Sequence, residues 1–348
     1  MKLLVVSNMY PSKTAPSYGT FVKNFCEQLQ DLEIDYDLAV MHKSSGKLGK
    51  LTGYVGFYLK SFFASLFGKY DAVYVHYASH SSAGVLLARK LRKFTIYTNC
   101  HGSDVIPQNN RQEKMQKNTR KILACSQKII VPSQYFKRQV TEKYPVPADR
   151  VFVCASGGVD PVLFCPADLR QPPFTIGFVS RIEPGKGWDV LLRACSALPD
   201  RNFRILMVGG GGGQQHLEDL AAQFDLTDVL EYVGSQPQQA LPGFLNRMDV
   251  FVFPTELKES LGLVAIEAMS CGIPVIASNH AAPADYVQNG INGYKFPVSD
   301  STALAEILAM VRSLSDADRS ALSAGARTTA AGYTRQQVNC TLKKILLE

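Results

Sequence analysis

Residues Pro254–Ser278 read PTELKESLGLVAIEAMSCGIPVIAS. An apolar run, Val250–Phe253, leads into this stretch. An acidic loop follows, then Gly262, a helical pattern, Gly272, and a second apolar run at Pro274–Ser278. Strand, helix and strand in that order make a parallel pair joined by a crossover helix. The same alternation extends outward in both directions. Before it come candidate strands at Leu3–Ser7, Asp37–Met41, Ala72–Val75, Thr95–Cys100, Lys128–Pro132 and Val151–Ala155. Thr175–Val179, Arg204–Val208 and Val229–Val233 continue the series. Helical patterns fill the gaps at Gly19–Leu32, Ser81–Lys93, Gln134–Tyr144, Gly187–Ala197 and Gln214–Phe224. Such repetition predicts an α/β chain with parallel sheets and helices on both faces. It occurs twice, with a break at Gly157–Phe174 that carries Pro161, Pro166, Pro172 and Pro173 and reads as a linker. The expectation is two doubly wound Rossmann-like domains, residues 1–165 and 172–334, facing each other across a cleft. Ligands of such folds bind outside the carboxyl ends of the strands.

Composition agrees with this size. The chain has 348 residues, 46% hydrophobic and 19% charged, which excludes wholesale disorder. Its 26 Gly and 18 Pro follow no repeat, which excludes collagen-like classes. No uncharged apolar run reaches the roughly 18 residues of a spanning helix. The apolar run at Leu3–Val6 is too short for a signal peptide and reads as a buried first strand. The eight cysteines are scattered without a CxxC pair. A reduced, cytoplasmic setting is therefore expected, with each cysteine a small buried hydrophobe.

The net charge of +7 is unevenly placed. Residues 1–170 hold 23 Lys and Arg against 12 Asp and Glu, and the remainder holds 14 against 18. A basic first half suits anionic lipid, a phosphorylated substrate or nucleic acid, or is simply a solvated basic surface. No nucleic-acid-binding signature accompanies it, so nucleic acid is not an expected partner. Leu51–Phe67, LTGYVGFYLKSFFASLF, is aromatic-rich with one charge, Lys60. Two readings stay open for it. One is an in-plane membrane contact aided by Lys43, Lys47, Lys50, Lys60 and Lys69. The other is a core or acceptor-cleft helix.

Several stretches carry chemistry. Gly262 would let backbone approach a ligand at a helix start. Leu263 and Val264 would then offer unpaired N–H groups at the positive helix end, which suits a phosphate. Glu259 and Glu267 would stand about 12 Å apart if the segment were wholly helical. That is the scale for engaging opposite ends of a nucleotide-sugar, although a Glu pair by itself is more often surface decoration. Phe178–Trp188, FVSRIEPGKGW, places Arg181 and Lys186 on a glycine-bearing loop after a strand. Two such cations could neutralise a diphosphate leaving group, the alternative being an ordinary basic turn. The Gly209–Gly213 run has the look of a phosphate-cradling turn, although neither G-x-G-x-x-G nor a Walker A loop is matched. His101-Gly102-Ser103-Asp104 ends a strand, where His101 could bond a sugar hydroxyl or be structural. Tyr10–Val22, YPSKTAPSYGTFV, sets Gly19 near the first helix start. Ser133 reads as a helix cap. No metal-ligand spacing and no G-x-S-x-G signature is present.

Taken in order, these stretches resemble the retaining family 4 glycosyltransferases of the GT-B fold, above all those that build bacterial capsule, exopolysaccharide or lipopolysaccharide. YPSKTAPSYGTFV, HGSD, VPSQYFK (Val131–Lys137), GGVDPVLFCP (Gly157–Pro166), SRIEPGKG (Ser180–Gly187) and the two glutamates of Glu259–Glu267 carry the resemblance. It covers nearly the whole chain. It implies that Arg181 and Lys186 bind a donor diphosphate and that Glu267 bonds the ribose. It implies that Glu259 contacts the donor hexose, with backbone of Leu261, Gly262 and Leu263 nearby. His101 would bond the transferred sugar, and Gly19 would leave room for diphosphate and acceptor. The catalytic set would be His101, Glu259, Arg181 and Lys186. The donor would be a UDP- or GDP-sugar and the acceptor a glycan or lipid-linked hydroxyl, held mainly by the first domain. No metal or other cofactor is implied. Residues 335–348 resemble a helix that crosses back to the first domain. Separately, the basic first half and the Leu51–Phe67 stretch suggest a lipid-linked acceptor at the inner leaflet, so a cytoplasmic enzyme, peripheral on the inner membrane face on the membrane reading of that stretch, is the expected setting.

Three departures from the family pattern stand out. Only Gly19 is clear in the N-terminal loop, Gly157 replaces a usual Asn, and Leu261 stands where an aromatic is common. The alternatives are a nucleotide-sugar epimerase or hydrolase of the same fold, which would turn over donor without acceptor, or a non-catalytic nucleotide-sugar-binding protein.

Overall fold

The computed structural model describes residues 1–16, 18–167 and 169–348, so Ser17 of the Tyr10–Val22 stretch and Asp168 of the proline-bearing stretch lie outside it. The chain forms two compact units. Unit 1 comprises Met1–Gly157 and Val338–Glu348, and unit 2 comprises Gly158–Gln337.

Unit 1 is built on six parallel strands, β1 (Lys2–Tyr10), β2 (Asp35–His42), β3 (Ala72–His76), β4 (Ile96–Asn99), β5 (Lys128–Val131) and β6 (Val151–Val153). Their order in the sheet is β2-β1-β3-β4-β5-β6. The crossovers include α1 (Thr20–Asp31), α2 (Gly46–Phe67), α3 (Ala78–Leu91), α4 (Asn110–Cys125) and α5 (Gln134–Lys143). Side chains alternate across a strand, so both faces need apolar residues when both are covered. Leu4, Val6, Val73, Val75 and Ile129 enter one core with Val85, Ile122 and Phe136 of the helices. Leu3, Val5, Tyr74 and Ile130 enter the other with Phe25 and Leu29 of α1. This is why the strands read as unbroken apolar runs. Ser133 caps α5 as expected, its Oγ accepting from the Phe136 N–H at 3.2 Å.

Unit 2 repeats the architecture with β7 (Phe174–Val179), β8 (Phe203–Val208), β9 (Leu230–Gly234), β10 (Val250–Phe253), β11 (Val275–Ser278) and β12 (Gly293–Phe296). All pairs are parallel, in the order β12-β11-β10-β7-β8-β9. The order reverses between β7 and β10, the switch point of a doubly wound sheet. Helices α6 (Trp188–Ser196), α7 (Gln214–Gln223), α8 (Leu241–Leu245), α9 (Leu263–Ser270), α10 (Pro283–Tyr286), α11 (Ser301–Arg312) and α12 (Asp316–Ala331) complete it. Strand β12 is not legible in the sequence because GYKF buries only its two ends. Helix α4 is missed as well: NRQEKMQKNTRKILAC is mostly polar and buries only Gln116, Thr119, Ile122 and Leu123.

The boundary between the two units falls at the start of the proline-bearing stretch, and the rest of that stretch belongs to unit 2. The Asn246 side chain bonds the Ala167 N–H and the Cys165 carbonyl, Ser270 Oγ donates to the Phe164 carbonyl, and Phe164 is buried. Cys165 and Cys340 are exposed rather than buried, because they sit on that surface segment and on an outer helix face.

The last helix, α13 (Arg335–Leu347), sends Val338, Leu342, Ile345 and Leu346 into the unit 1 core beside Leu29 and Cys154. Gln28 Nε2 donates to Asn339 Oδ1 at 2.7 Å beside them. Truncating one such side chain leaves a cavity costing about 2–5 kcal/mol. Leu342→Ala is therefore expected to speed amide hydrogen exchange in β1–β6 and leave β7–β12 unchanged, as read by mass spectrometry of peptic fragments.

Candidate active site

The switch point of unit 2 brings together loops that are far apart in sequence. The loop after β7 carries Arg181 and Lys186, and the loop after β10 carries Glu259. Lys186 Nζ lies 2.6 Å from Glu259 Oε1, with both side chains largely buried. Thr255 Oγ1 donates to the same carboxylate oxygen at 3.3 Å and receives the Leu257 N–H. The Glu256 N–H donates to the Gly185 carbonyl at 2.9 Å, which stitches the two loops along their backbones. Gly187 has a φ of +73°, and a Cβ there would overlap the Pro254 carbonyl oxygen. Gly187 thus owes its identity to a backbone-on-backbone approach, and a Cβ on Gly185, with φ +79°, would meet the Leu257 side chain.

Helix α9 begins at Leu263, so Glu259 lies in the loop before it and the wholly helical spacing does not hold. Gly262 caps the helix with φ +79°, where an added Cβ would sit 2.8 Å from the Phe253 ring. No side chain caps this end. The first-turn N–H groups of Leu263 and Val264 thus lie at a positive helix end without a side-chain cap. Leu261 is buried, so only its backbone is offered to a ligand. Glu267, one helix turn on, is 5% exposed, and its Oε1 accepts from Gln238 Nε2 at 3.0 Å. Burial raises its pKa, opposed by that hydrogen bond. Arg181 differs from Lys186: it is exposed and pairs with Glu183 at 2.7 Å.

The Gly209–Gly213 run has a fold-internal explanation. The Ile182 N–H donates to the Gly210 carbonyl and the Gly213 N–H to the Ile182 carbonyl, both at 2.9 Å. A Cβ on Gly211 would approach the Ile182 carbonyl oxygen to 2.5 Å. Gly209, Gly211 and Gly213 pack against the Ser180–Ile182 backbone, which explains glycine at those three positions, whereas Gly212 faces open space.

In unit 1 the sequence-read residues also gather at the carboxyl ends of strands. Gly19 starts α1 with φ +77°, and its missing Cβ would lie 2.6 Å from the Met9 carbonyl carbon, so the fold itself requires glycine there. The HGSD turn is organised by Asp104, which is fully buried. Its carboxylate accepts from the N–H groups of His101, Gly102 and Ala78 at 3.1, 2.8 and 3.0 Å. It therefore fixes the turn and the start of α3 at once.

His101 has a partner that sequence reasoning missed. His76, at the end of β3, places Nδ1 2.9 Å from His101 Nε2, with the rings stacked. Phe21 packs on His101 at 4.3 Å between centroids. His76 Nε2, Asn99 Oδ1 and Ser156 Oγ are buried with no protein hydrogen bond, and all three line one cavity of about 10 Å³. That is room for a single bridging water. The sequence gives no cue for His76, because its role comes from β3 and β4 being neighbours.

Burial holds His101 neutral, its pKa lowered to about 3, and lowers that of His76 well below the ordinary value. A second cavity of unit 1, about 420 Å³, is lined by Lys43, Lys50, Arg111, Tyr54, Tyr77 and His80 among others. It combines cations with aromatic hydroxyls, a lining suited to an anionic or hydroxylated ligand. Among the described residues no group of His, Cys, Asp and Glu is arranged to hold a metal ion.

The two buried histidines set a pH dependence. Unfolded histidine takes its proton near pH 6.5, whereas folded His101 does so near 3. Stability is thus complete above pH 6.5 and falls as pH drops below it, by up to about 1.4 kcal/mol per pH unit for each histidine. Urea midpoints measured from about pH 7.5 to 5 are expected to fall less in His76→Gln than in the parent. Comparing the two chains cancels the opposite contributions of Asp104 and Glu267, whose pKa values are raised.

Comparison with known proteins agrees with this arrangement. Residues 19–162 match the Glycosyltransferase Family 4 model, and residues 166–328 match the Glycosyl transferases group 1 model. The chain is 27% identical over 337 residues to the D-inositol 3-phosphate glycosyltransferase of Salinispora tropica, covering 85% of this chain and 69% of that protein. It is 27% identical over 236 residues to the amylovoran biosynthesis glycosyltransferase AmsK of Erwinia amylovora, covering 64% and 57%. Anabaena HepE, solved in complex with UDP, superposes over the full length of both chains with a TM-score of 0.76 at 17% identity. The two matched segments account for nearly the whole chain and the fold is shared end to end, so the chain belongs to the family 4 glycosyltransferases of the GT-B fold.

Proposed function

We propose that the chain transfers a hexose, with retention of anomeric configuration, from a nucleoside diphosphate sugar to a hydroxyl of a glycan or lipid-linked acceptor. The observation that carries this reading is the meeting of Lys186, Glu259 and the uncapped start of α9 at the switch point of unit 2. A diphosphate would displace Glu259 from Lys186, replacing one anion with another at no loss of pairing. Arg181 would swing from its exposed pairing with Glu183 to the outer phosphate. Glu267, buried one turn into α9, would accept from the ribose hydroxyls. The freed Glu259 would accept from the hexose. From unit 1, His101 would bond the transferred sugar as a neutral imidazole, and the cavity lined by Lys43, Lys50, Tyr54 and Arg111 would take the acceptor.

In the reaction the bond from the anomeric carbon to the phosphate oxygen breaks and the acceptor oxygen bonds to that carbon. The acceptor proton passes to the departing phosphate. Positive charge grows on the sugar ring and negative charge on the leaving diphosphate. Lys186, Arg181 and the helix-end amides stabilise the latter, so the proposed chemistry requires no metal. UDP, bound in the solved HepE structure, is the first donor base to test. Relatives such as AmsK point to polysaccharide synthesis as the setting.

Thermal stability against UDP, GDP, ADP and their sugars tests the donor site. Ligand at about 100 times its dissociation constant adds about 2.7 kcal/mol, a shift of about 2–4 °C at this chain length. One nucleotide is expected to stabilise the parent selectively. Glu267→Gln is expected to weaken binding about ten- to a hundredfold by removing a charged acceptor. Lys186→Ala is expected to lower kcat by about 10²–10³. Full activity in both variants would overturn the site. Donor turnover without any acceptor would replace transfer with epimerisation or hydrolysis, and nucleotide binding without turnover under any acceptor would make the chain a binding protein.

A further inference from the structure

Helix α2 carries apolar residues on both its inward and its outward face. Inward, Phe57, Tyr54 and Tyr58 pack into the unit 1 core, while Ser61 and Ser65 are buried and Ser61 lies against Gly84 of α3. Close approach to α3 requires small residues at this contact. A Cβ on Gly84 of α3 would lie 2.5 Å from the Tyr58 carbonyl oxygen, and Ser81 and Ser82 of α3 are fully buried. The outward face holds Leu48, Leu51, Val55, Leu59, Phe63 and Phe67, each between 51% and 75% exposed. Their spacing of three or four residues makes one continuous stripe along the helix. Leu87 and Leu91, 53% and 68% exposed, add to it from α3. Apolar contiguity of this kind marks an interaction surface rather than scattered surface leucines.

The charges around the stripe say what covers it. Residues 42–103 contain nine Lys and Arg and a single acid, Asp71. Lys47, Lys50, Lys60 and Lys69 are exposed on α2 or at its end, and Lys90 and Lys93 are exposed at the end of α3. A second copy of this face would set like charges against each other across an apolar seam. An anionic surface has the complementary sign. No described helix is long and apolar enough to cross a membrane, so contact would be in the plane of the interface.

We propose that the outer face of α2, with the end of α3, docks in plane on an anionic lipid bilayer. The leucines and phenylalanines enter the acyl boundary while the flanking lysines meet lipid phosphates. Lys50 and Tyr54 of the same helix line the 420 Å³ cavity, so docking holds that cavity about one helix diameter, roughly 10 Å, from the membrane surface. This inference stands on exposure and charge alone and is independent of the transfer reaction.

The test is co-sedimentation of the full chain with vesicles of phosphatidylcholine, with and without phosphatidylglycerol. Binding is expected to the anionic vesicles, and to weaken as salt is raised. Leu51→Glu with Leu59→Glu is expected to weaken binding at least about tenfold, while near-ultraviolet circular dichroism stays unchanged because both sites are exposed. Lys47→Gln with Lys60→Gln is expected to lose about fivefold per charge. The proposal is overturned if the parent fails to bind anionic vesicles at low salt. It is overturned equally if the double glutamate variant binds as the parent does, or if neutral vesicles bind as well as anionic ones. A solution dimer, seen by light scattering and dissolved by the glutamate pair, would assign the stripe to a second copy instead.

Discussion

In a parallel α/β sheet, the loops after two adjacent strands diverge only where the strand order reverses. That opening between β7 and β10 is the constraint from which unit 2's candidate site follows. It allows the loop ending in Lys186 and the loop bearing Glu259, 73 residues apart, to form a 2.6 Å ion pair. The backbones must approach closely for this, which explains why Gly185 and Gly187 have positive φ. A side chain at 187 would overlap the Pro254 carbonyl and push the loops apart. Unit 1 meets the same constraint beside β1, where Gly19 rests on the Met9 backbone.

The charges at these openings are held in different ways. Lys186 is largely buried and already paired, so under the proposed function an incoming anion would exchange partners with it instead of meeting the desolvation cost anew. Arg181 is exposed, so its pairing with Glu183 is screened by water and weak. Glu267 is buried with one amide for company, so hydroxyl donors would add to a carboxylate that burial disfavours. The His76–His101 stack carries no charge, because burial keeps both rings neutral. A neutral imidazole suits hydrogen bonding to a sugar better than an ion that would repel developing positive charge on the ring.

Helix α2 shows the same logic applied to a surface. Close packing on α3 demands small residues such as Ser61 at the contact, Phe57 enters the core, and a second set of large apolar residues is left outside. A helix that buries its serines and exposes its leucines loses hydrophobic stabilisation in water unless something covers it. The cations of residues 1–170 are spread evenly, but only one of the twelve acids there falls within residues 42–103, so this stretch carries +8 of the +11 net charge and ties the charge asymmetry of the chain to one place in the fold.

The sequence by itself determined the α/β class, the two-fold repetition of strand and helix and the order of the motif stretches, and it singled out Lys186, Glu259, Glu267 and His101 as the candidates on which the proposed function rests. These are local properties: apolar runs, glycines at strand ends and caps such as Ser133 are legible within a window of a few residues. It did not show β12 or α4, whose patterns are too short or too polar, nor that α9 starts only at Leu263. Only the tertiary structure decided which loops meet, that His76 backs His101, that the glycine run serves backbone packing, and which side of α2 faces water. Those outcomes depend on strand order and helix rotation, and the residues they join lie tens of positions apart, beyond any local period.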